Sequence, residues 1–218
     1  MLMKVFPHGT GEGDKPSRYL VRPDYPGRDT APPQVLRGDP AMTRALIDSI
    51  DRRWKFTSGA LSWHPEEKNS EAHEEQVMHA LERVAFAGLE VDQRNILWVR
   101  HTHAGHHELH FLIPRLELSS GKDFNACPPG WQKDFDVFRD LFNWREGWAR
   151  PDDPARTRDE LPKKADLFKA RMARWGKEIR ESDRDRAKEV IHAFLNEKVT
   201  QGLVQNREDV LSALKKQR

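Results

Sequence analysis

Cysteine is nearly missing from this chain: Cys127 is the only one among 218 residues. A lone thiol excludes an intramolecular disulfide and any zinc site built from several thiolates. No apolar run approaches the roughly 18 residues that would cross a membrane. Met1 to Phe6 also lacks the charged-then-apolar pattern of a secretory signal. These absences point to a cytoplasmic protein with no membrane insertion. Apolar residues are sparse too, at 37%, against roughly 45–50% in typical globular domains on a scale that also counts glycine. Seven Trp and ten Phe offset the shortage, because large aromatic side chains bury much area in a core. Net charge is only +2, yet it is uneven: residues 151–218 hold 17 Lys or Arg against 13 Asp or Glu, and residues 1–150 hold 20 against 22. A mild basic bias suits nucleic acid, since Lys and Arg displace condensed counterions, although many helical proteins share it.

Met1 to Phe6 reads as a short first strand. The stretch from Gly9 to Pro16 then breaks regular structure, and Pro16 suits the first turn of a helix that stops at Val21, ahead of Pro23. A loop rich in Pro, Gly and Asp continues to Asp39, an N-cap that with Pro40 opens a helix to about Arg53. Phe56 to Trp63 has strand composition. Glu66 to Gly88 reads as a helix, with Val77, Leu81, Val84 and Phe86 near helical spacing. Asn95 to His101 and Glu108 to Leu118 are two strands joined by a short turn, a β-hairpin with Ala104-Gly105 at its bend. A helix from Trp131 to about Glu146 follows. After the break at Pro151-Asp-Asp-Pro154, three charged helical segments lie near 156–176, 182–197 and 206–217. The order β-α-α-β-α-β-β, then helices, predicts an α+β fold with a central, mainly antiparallel sheet, helices packed on it and a helical C-terminal region. The break divides the chain into 1–150 and 151–218.

Histidine, by contrast, is concentrated. Five of the ten lie in His101-Thr-His-Ala-Gly-His-His-Glu-Leu-His110. Glu108 and His110 are two apart on a strand, so both side chains point to one face while Leu109 and Phe111 point into the core. His101 ends the facing strand. Two imidazole nitrogens and a carboxylate oxygen suit a divalent transition metal, and three protein ligands leave positions open for chemistry. A solvated polar hairpin is the alternative. His103, His106 and His107 lie in the turn and read as surface residues, with His103 the one placed to touch substrate.

Only two tyrosines exist, Tyr19 and Tyr25. Tyr19 falls on the helix after the glycine-rich loop, flanked by Lys15, Arg18 and Arg22. A phenol can form covalent intermediates, and nearby positive charge would assist its ionisation and attract a phosphodiester. Tyr19 near the start, with His101-x6-Glu108-x-His110 and Phe-Leu-Ile-Pro114 after it, resembles a plasmid mobilisation relaxase of the HUH-type single-strand endonuclease superfamily. The resemblance is strongest to the relaxases of small mobilisable colicin plasmids, whose triad is His, Glu and Asn. This chain departs from them with His110 in the Asn place, and from three-histidine relaxases with Glu108 in a His place. Phe56 to Glu67 and Ser120 to Trp131 are similar to further segments of the same relaxases.

The resemblance implies a catalytic domain over 1–150 with a helical extension over 151–218. It implies nicking of one DNA strand at an origin of transfer, with Tyr19 as nucleophile and His101, Glu108 and His110 as metal ligands. His103, Arg18 and Arg22 are the residues expected to contact substrate. Manganese or magnesium is the expected metal, with zinc or nickel behind them. Expected partners are single-stranded origin DNA, accessory mobilisation proteins and a type IV secretion coupling protein, in a bacterial cytoplasm. Two other readings fit parts of the pattern: a non-haem iron oxygenase, which shares the two-His, one-carboxylate triad, and a non-catalytic DNA-binding accessory protein whose hairpin is ordered by metal.

Overall fold

Alternation sets the sheet. In strand β5 (Glu108–Pro114), Leu109, Phe111 and Ile113 all turn to one face and are essentially fully buried. In β3 (Phe56–Ser62) the partners Leu61, Gly59 and Thr57 turn the same way. Gly59 stands opposite Phe111, and a Cβ there would come within 2.3 Å of that ring and 2.6 Å of the Lys4 carbonyl oxygen. Glycine makes room for the ring inside an otherwise regular strand.

The computed structural model describes residues 1–67, 69–150, 153 and 183–215. Five strands form one antiparallel sheet in the order β1-β3-β5-β4-β2, where β1 is Leu2–Val5, β2 is Gln34–Arg37 and β4 is Leu97–His101. The hairpin β4–β5 therefore occupies the middle of the sheet. Helices α3 (Glu71–Ala85) and α4 (Gln132–Glu146) bury Val77, Met78, Leu81, Phe135 and Phe138 with Trp98, Leu109 and Phe111 in the larger core. Helices α1 (Asp14–Val21) and α2 (Pro40–Asp48) belong to a smaller cluster in which Leu20 and Ile47 meet Leu97, Val99 and Leu112. The α+β architecture with a central antiparallel sheet is the one expected from the sequence.

Several boundaries shift, each for a local reason. The Asp39 carboxylate accepts from the Met42 N–H at 2.6 Å, as an N-cap with Pro40 behind it predicts, but α2 ends at Asp48 rather than near Arg53. Helix α1 begins at Asp14, so Pro16 lies inside its first turn, where a missing N–H costs no helix bond. Ser70 caps α3 by accepting from the His73 N–H at 3.2 Å, five residues after the expected start. Strand β5 stops at Pro114 instead of Leu118, since proline has no N–H for the ladder. Strand β2 was not expected at all. It is a four-residue edge strand between Pro33 and Gly38, paired only with β4, and too short to show a period.

The chain divides into two compact units, Met1–Asp159 and Glu160–Arg218. In the second, the described helices are α5 (Asp183–Thr200) and α6 (Arg207–Lys215), with the Asn206 amide oxygen accepting from the Glu208 and Asp209 N–H groups at the start of α6. They correspond to the segments expected near 182–197 and 206–217. The segment expected at 156–176 lies outside the described residues. Among the described residues no helix is long and apolar enough to cross a membrane.

Candidate active site

The face of β4–β5 opposite the larger core carries His101, Glu108 and His110. His101 pairs directly with Glu108, and Val99 with His110, in the antiparallel register. Period-two alternation then brings His101, Glu108 and His110 to one face at the turn end of the hairpin. His101 is 1% exposed and His110 is 7% exposed, while Glu108 is half-buried. Their ring centroids place the two imidazoles 4.4 Å apart. One donor atom from each of the three residues lies within 4.8 Å of the other two. Ligands around one ion stand about 3–4 Å apart, and His101 would have to release Leu20 O at Nε2 or Arg28 at Nδ1 to offer an ion its lone pair. Two imidazoles and a carboxylate are a fitting donor set for a divalent cation.

Electrostatics within the cluster are specific. Glu108 Oε2 accepts from His110 Nε2 at 3.1 Å, and Oε1 accepts from His106 Nε2 at 3.1 Å. Burial alone would raise the Glu108 carboxyl, but the bond and charge of His110, joined by His106, hold it at about 2. Burial drives His101 down to about 3, with His110 adding to the shift and the bond to Leu20 opposing it. His101 Nε2 donates to the Leu20 carbonyl at 2.8 Å, and its Nδ1 faces Arg28 Nη2 at 3.3 Å. Arginine can only donate, so Nδ1 is the acceptor and the ring proton sits on Nε2.

Leu20 is the neighbour of Tyr19 on α1, which is how the candidate nucleophile reaches the cluster. The Tyr19 ring centroid is 6.4 Å from that of His101, and the side chain is 41% exposed. Arg18 pairs with Asp14 and Arg22 with Asp24 at 3.5 Å, so neither is the main positive charge facing Tyr19. That role falls to Arg28, whose guanidinium lies 5.0 Å from the Tyr19 ring centroid and 4.8 Å from that of Tyr25. Burial, followed by Tyr25, raises the Tyr19 phenol above its ordinary value, with Arg28 opposing. Flanking basic residues therefore do not make this phenol unusually acidic. Tyr25 lies closer to the site than its loop context suggested, 5.7 Å from Tyr19 and 5.5 Å from His103 between ring centroids. His103 stands 5.4 Å from His101 by the same measure. His107 turns away, and its Nδ1 meets the buried Glu74 carboxylate at 3.0 Å.

Two residues escaped the sequence reading. His106 was read as a surface residue, yet it braces Glu108 from two positions before it. Arg28 carried one signal that could have marked it. Tyr25-Pro26-Gly27-Arg28 is a turn with proline second, Gly27 third at φ +82°, and Arg28 N–H donating to the Tyr25 carbonyl at 3.0 Å. That turn aims the Arg28 side chain back at α1 and β4.

Residues 41–142 match the family described as relaxase, MobA/VirD2-like, nuclease domain. The matched span includes His101, Glu108 and His110 and begins after Tyr19. The chain is 40% identical over 171 residues to cryptic plasmid protein C of Neisseria gonorrhoeae, covering 77% of this chain and 80% of that protein. It is 35% identical over 168 residues to the DNA relaxase MbeA of Escherichia coli, covering 74% of this chain but 32% of that protein. No solved structure matches.

Proposed function

Because the chain belongs to the MobA/VirD2-like relaxase family, we propose that it nicks one strand of DNA at a plasmid origin of transfer by tyrosine transesterification. Residues 1–150 form the catalytic domain in this reading, and 151–218 a helical extension. The observation that carries it is the shared face: Tyr19 on α1 beside His101, Glu108 and His110 on the hairpin, with the Leu20 carbonyl bonded to His101.

The chemistry follows from what each group can do. Tyr19 Oη attacks the scissile phosphorus, forming a phosphotyrosyl bond as the bond to the 3′ oxygen breaks. The phenolic proton leaves Tyr19 and the departing 3′ oxygen takes one up as a hydroxyl, so the step is a balanced exchange that keeps the phosphodiester's bond energy for rejoining. A divalent ion held by His101, Glu108 and His110, manganese or magnesium in this reading, supplies charge neutralisation at the non-bridging oxygens when bound. Glu108 accepts from His106 and His110, which holds its carboxylate toward the site. Arg18, Arg22 and His103 are proposed to meet the DNA backbone. Accessory mobilisation proteins and a type IV secretion coupling protein are the further partners, in a bacterial cytoplasm. A single sheet with helices on both faces argues against the oxygenase reading, whose triad belongs to a double-sheet barrel.

The test is direct. Incubation with Mn²⁺ and labelled single-stranded origin DNA should give a cut strand and a protein–DNA adduct that survives a denaturing gel. Failure to form any adduct on the origin sequence would sink the proposal. Binding to the same strand should weaken with salt at a log–log slope of about −0.7 for each phosphate neutralised. An affinity indifferent to salt would mean that DNA is not the ligand.

A further inference from the structure

Arg28 is wholly buried, yet it sits in none of the hydrophobic clusters and reaches three separate parts of the site. Its Nη1 donates to the Tyr19 carbonyl at 2.6 Å and to the Arg22 carbonyl at 3.1 Å. Its Nη2 donates to His101 Nδ1 at 3.3 Å. The guanidinium plane also lies against both tyrosine rings. Helix α1 ends at Val21, so its last carbonyls have no partner within the helix. Tyr19 O is taken by Arg28 and Leu20 O by His101. The end of the helix that carries the candidate nucleophile is thus capped by Arg28 together with a candidate metal ligand.

Resting on the reading of Tyr19 as nucleophile, we propose that Arg28 is a positioning residue that fixes the end of the Tyr19 helix and the Tyr19 ring against the hairpin. A planar guanidinium can serve two carbonyls and an imidazole at once, which a lysine ammonium on a flexible stem cannot do in the same geometry. Arg28 Nε is buried without a partner among the described residues. A buried unsatisfied N–H lowers stability, and the bonds to the Tyr19 and Arg22 carbonyls offset that cost.

The role is tested with Arg28→Lys and Arg28→Ala beside Tyr19→Phe, under saturating Mn²⁺. Single-turnover adduct formation should fall about 10- to 100-fold in both Arg28 variants, the range for groups that orient a ligand, while affinity for single-stranded DNA is unchanged. Millimolar guanidinium should restore part of the rate to Arg28→Ala, and sodium chloride at equal ionic strength should not. If Arg28→Ala does not fold, Arg28→Lys, which keeps the charge and the stem, decides alone. Parent rates in both Arg28 variants overturn the inference. So does a rate loss matched by a loss of DNA affinity, which would make Arg28 a phosphate contact. An adduct that persists in Tyr19→Phe refutes the nucleophile reading instead, whatever the Arg28 variants do.

Discussion

Tyr19→Phe should abolish the covalent protein–DNA adduct and reduce strand cleavage by about three orders of magnitude or more, the scale seen when a nucleophile is removed. The substitution deletes one oxygen. The Phe ring keeps its place against Arg28 and His101, 5.0 Å and 6.4 Å away in the parent chain, so melting temperature, Mn²⁺ uptake and DNA binding should hold. The measurement is adduct yield on a denaturing gel with origin DNA, and Tyr25→Phe is its necessary companion. The structure makes that companion sharper than the sequence did, because the two rings are 5.7 Å apart and share Arg28. Tyr25→Phe should leave most of the activity. An adduct retained by Tyr19→Phe and lost in Tyr25→Phe would move the nucleophile six residues along the chain and leave the cleavage chemistry standing. A parent chain that binds DNA without cutting it, with binding unchanged in both variants, would favour the non-catalytic, DNA-binding reading.

The second large effect belongs to Glu108. Glu108→Ala should weaken Mn²⁺ binding and lower cleavage by at least about 100-fold at limiting metal, since the ion's charge neutralisation is worth several kcal/mol in the transition state. Excess Mn²⁺ should recover part of that loss, and a chelator should silence the parent chain. The variant also carries a structural cost. His110 is nearly buried, and removing the carboxylate leaves its Nε2 and that of His106 without their acceptor, a loss of about 1–3 kcal/mol for each buried group left unsatisfied. Glu108→Gln keeps one of the two acceptors and the side-chain volume, so it separates the two effects: part of the stability should return while metal affinity stays low. Isothermal titration with Mn²⁺ and cleavage against metal concentration give both numbers. Parent affinity for Mn²⁺ in Glu108→Ala would remove Glu108 from the ligand set.

The central hairpin was legible because strand alternation is a local rule. Once 95–101 and 108–114 are strands joined by a short turn, His101, Glu108 and His110 must share a face, and Leu109 and Phe111 must share the other. The Asp39-Pro40 helix start was legible for the same reason, because a cap is made within a few residues of itself. Strand ends and helix ends were less so. Nothing within Gln34–Arg37 distinguishes a strand from a loop until β4 offers its free edge.

Sequence by itself determined the fold class, the clustering of three donors on one hairpin face, and the choice of two tyrosines from which a nucleophile could come. Tertiary structure decided which charges surround them. Arg18 and Arg22 flank Tyr19 along the chain, yet they face Asp14 and Asp24. Arg28 meets His101, 73 positions further along the chain, because one turn folds it under the end of α1. His106 turns toward Glu108 while His107, its neighbour, turns to Glu74 on the opposite side. Periodicity assigns a residue to a face. Only the packed chain assigns it a partner, because a side chain's partner depends on distances between elements that no local rule encodes.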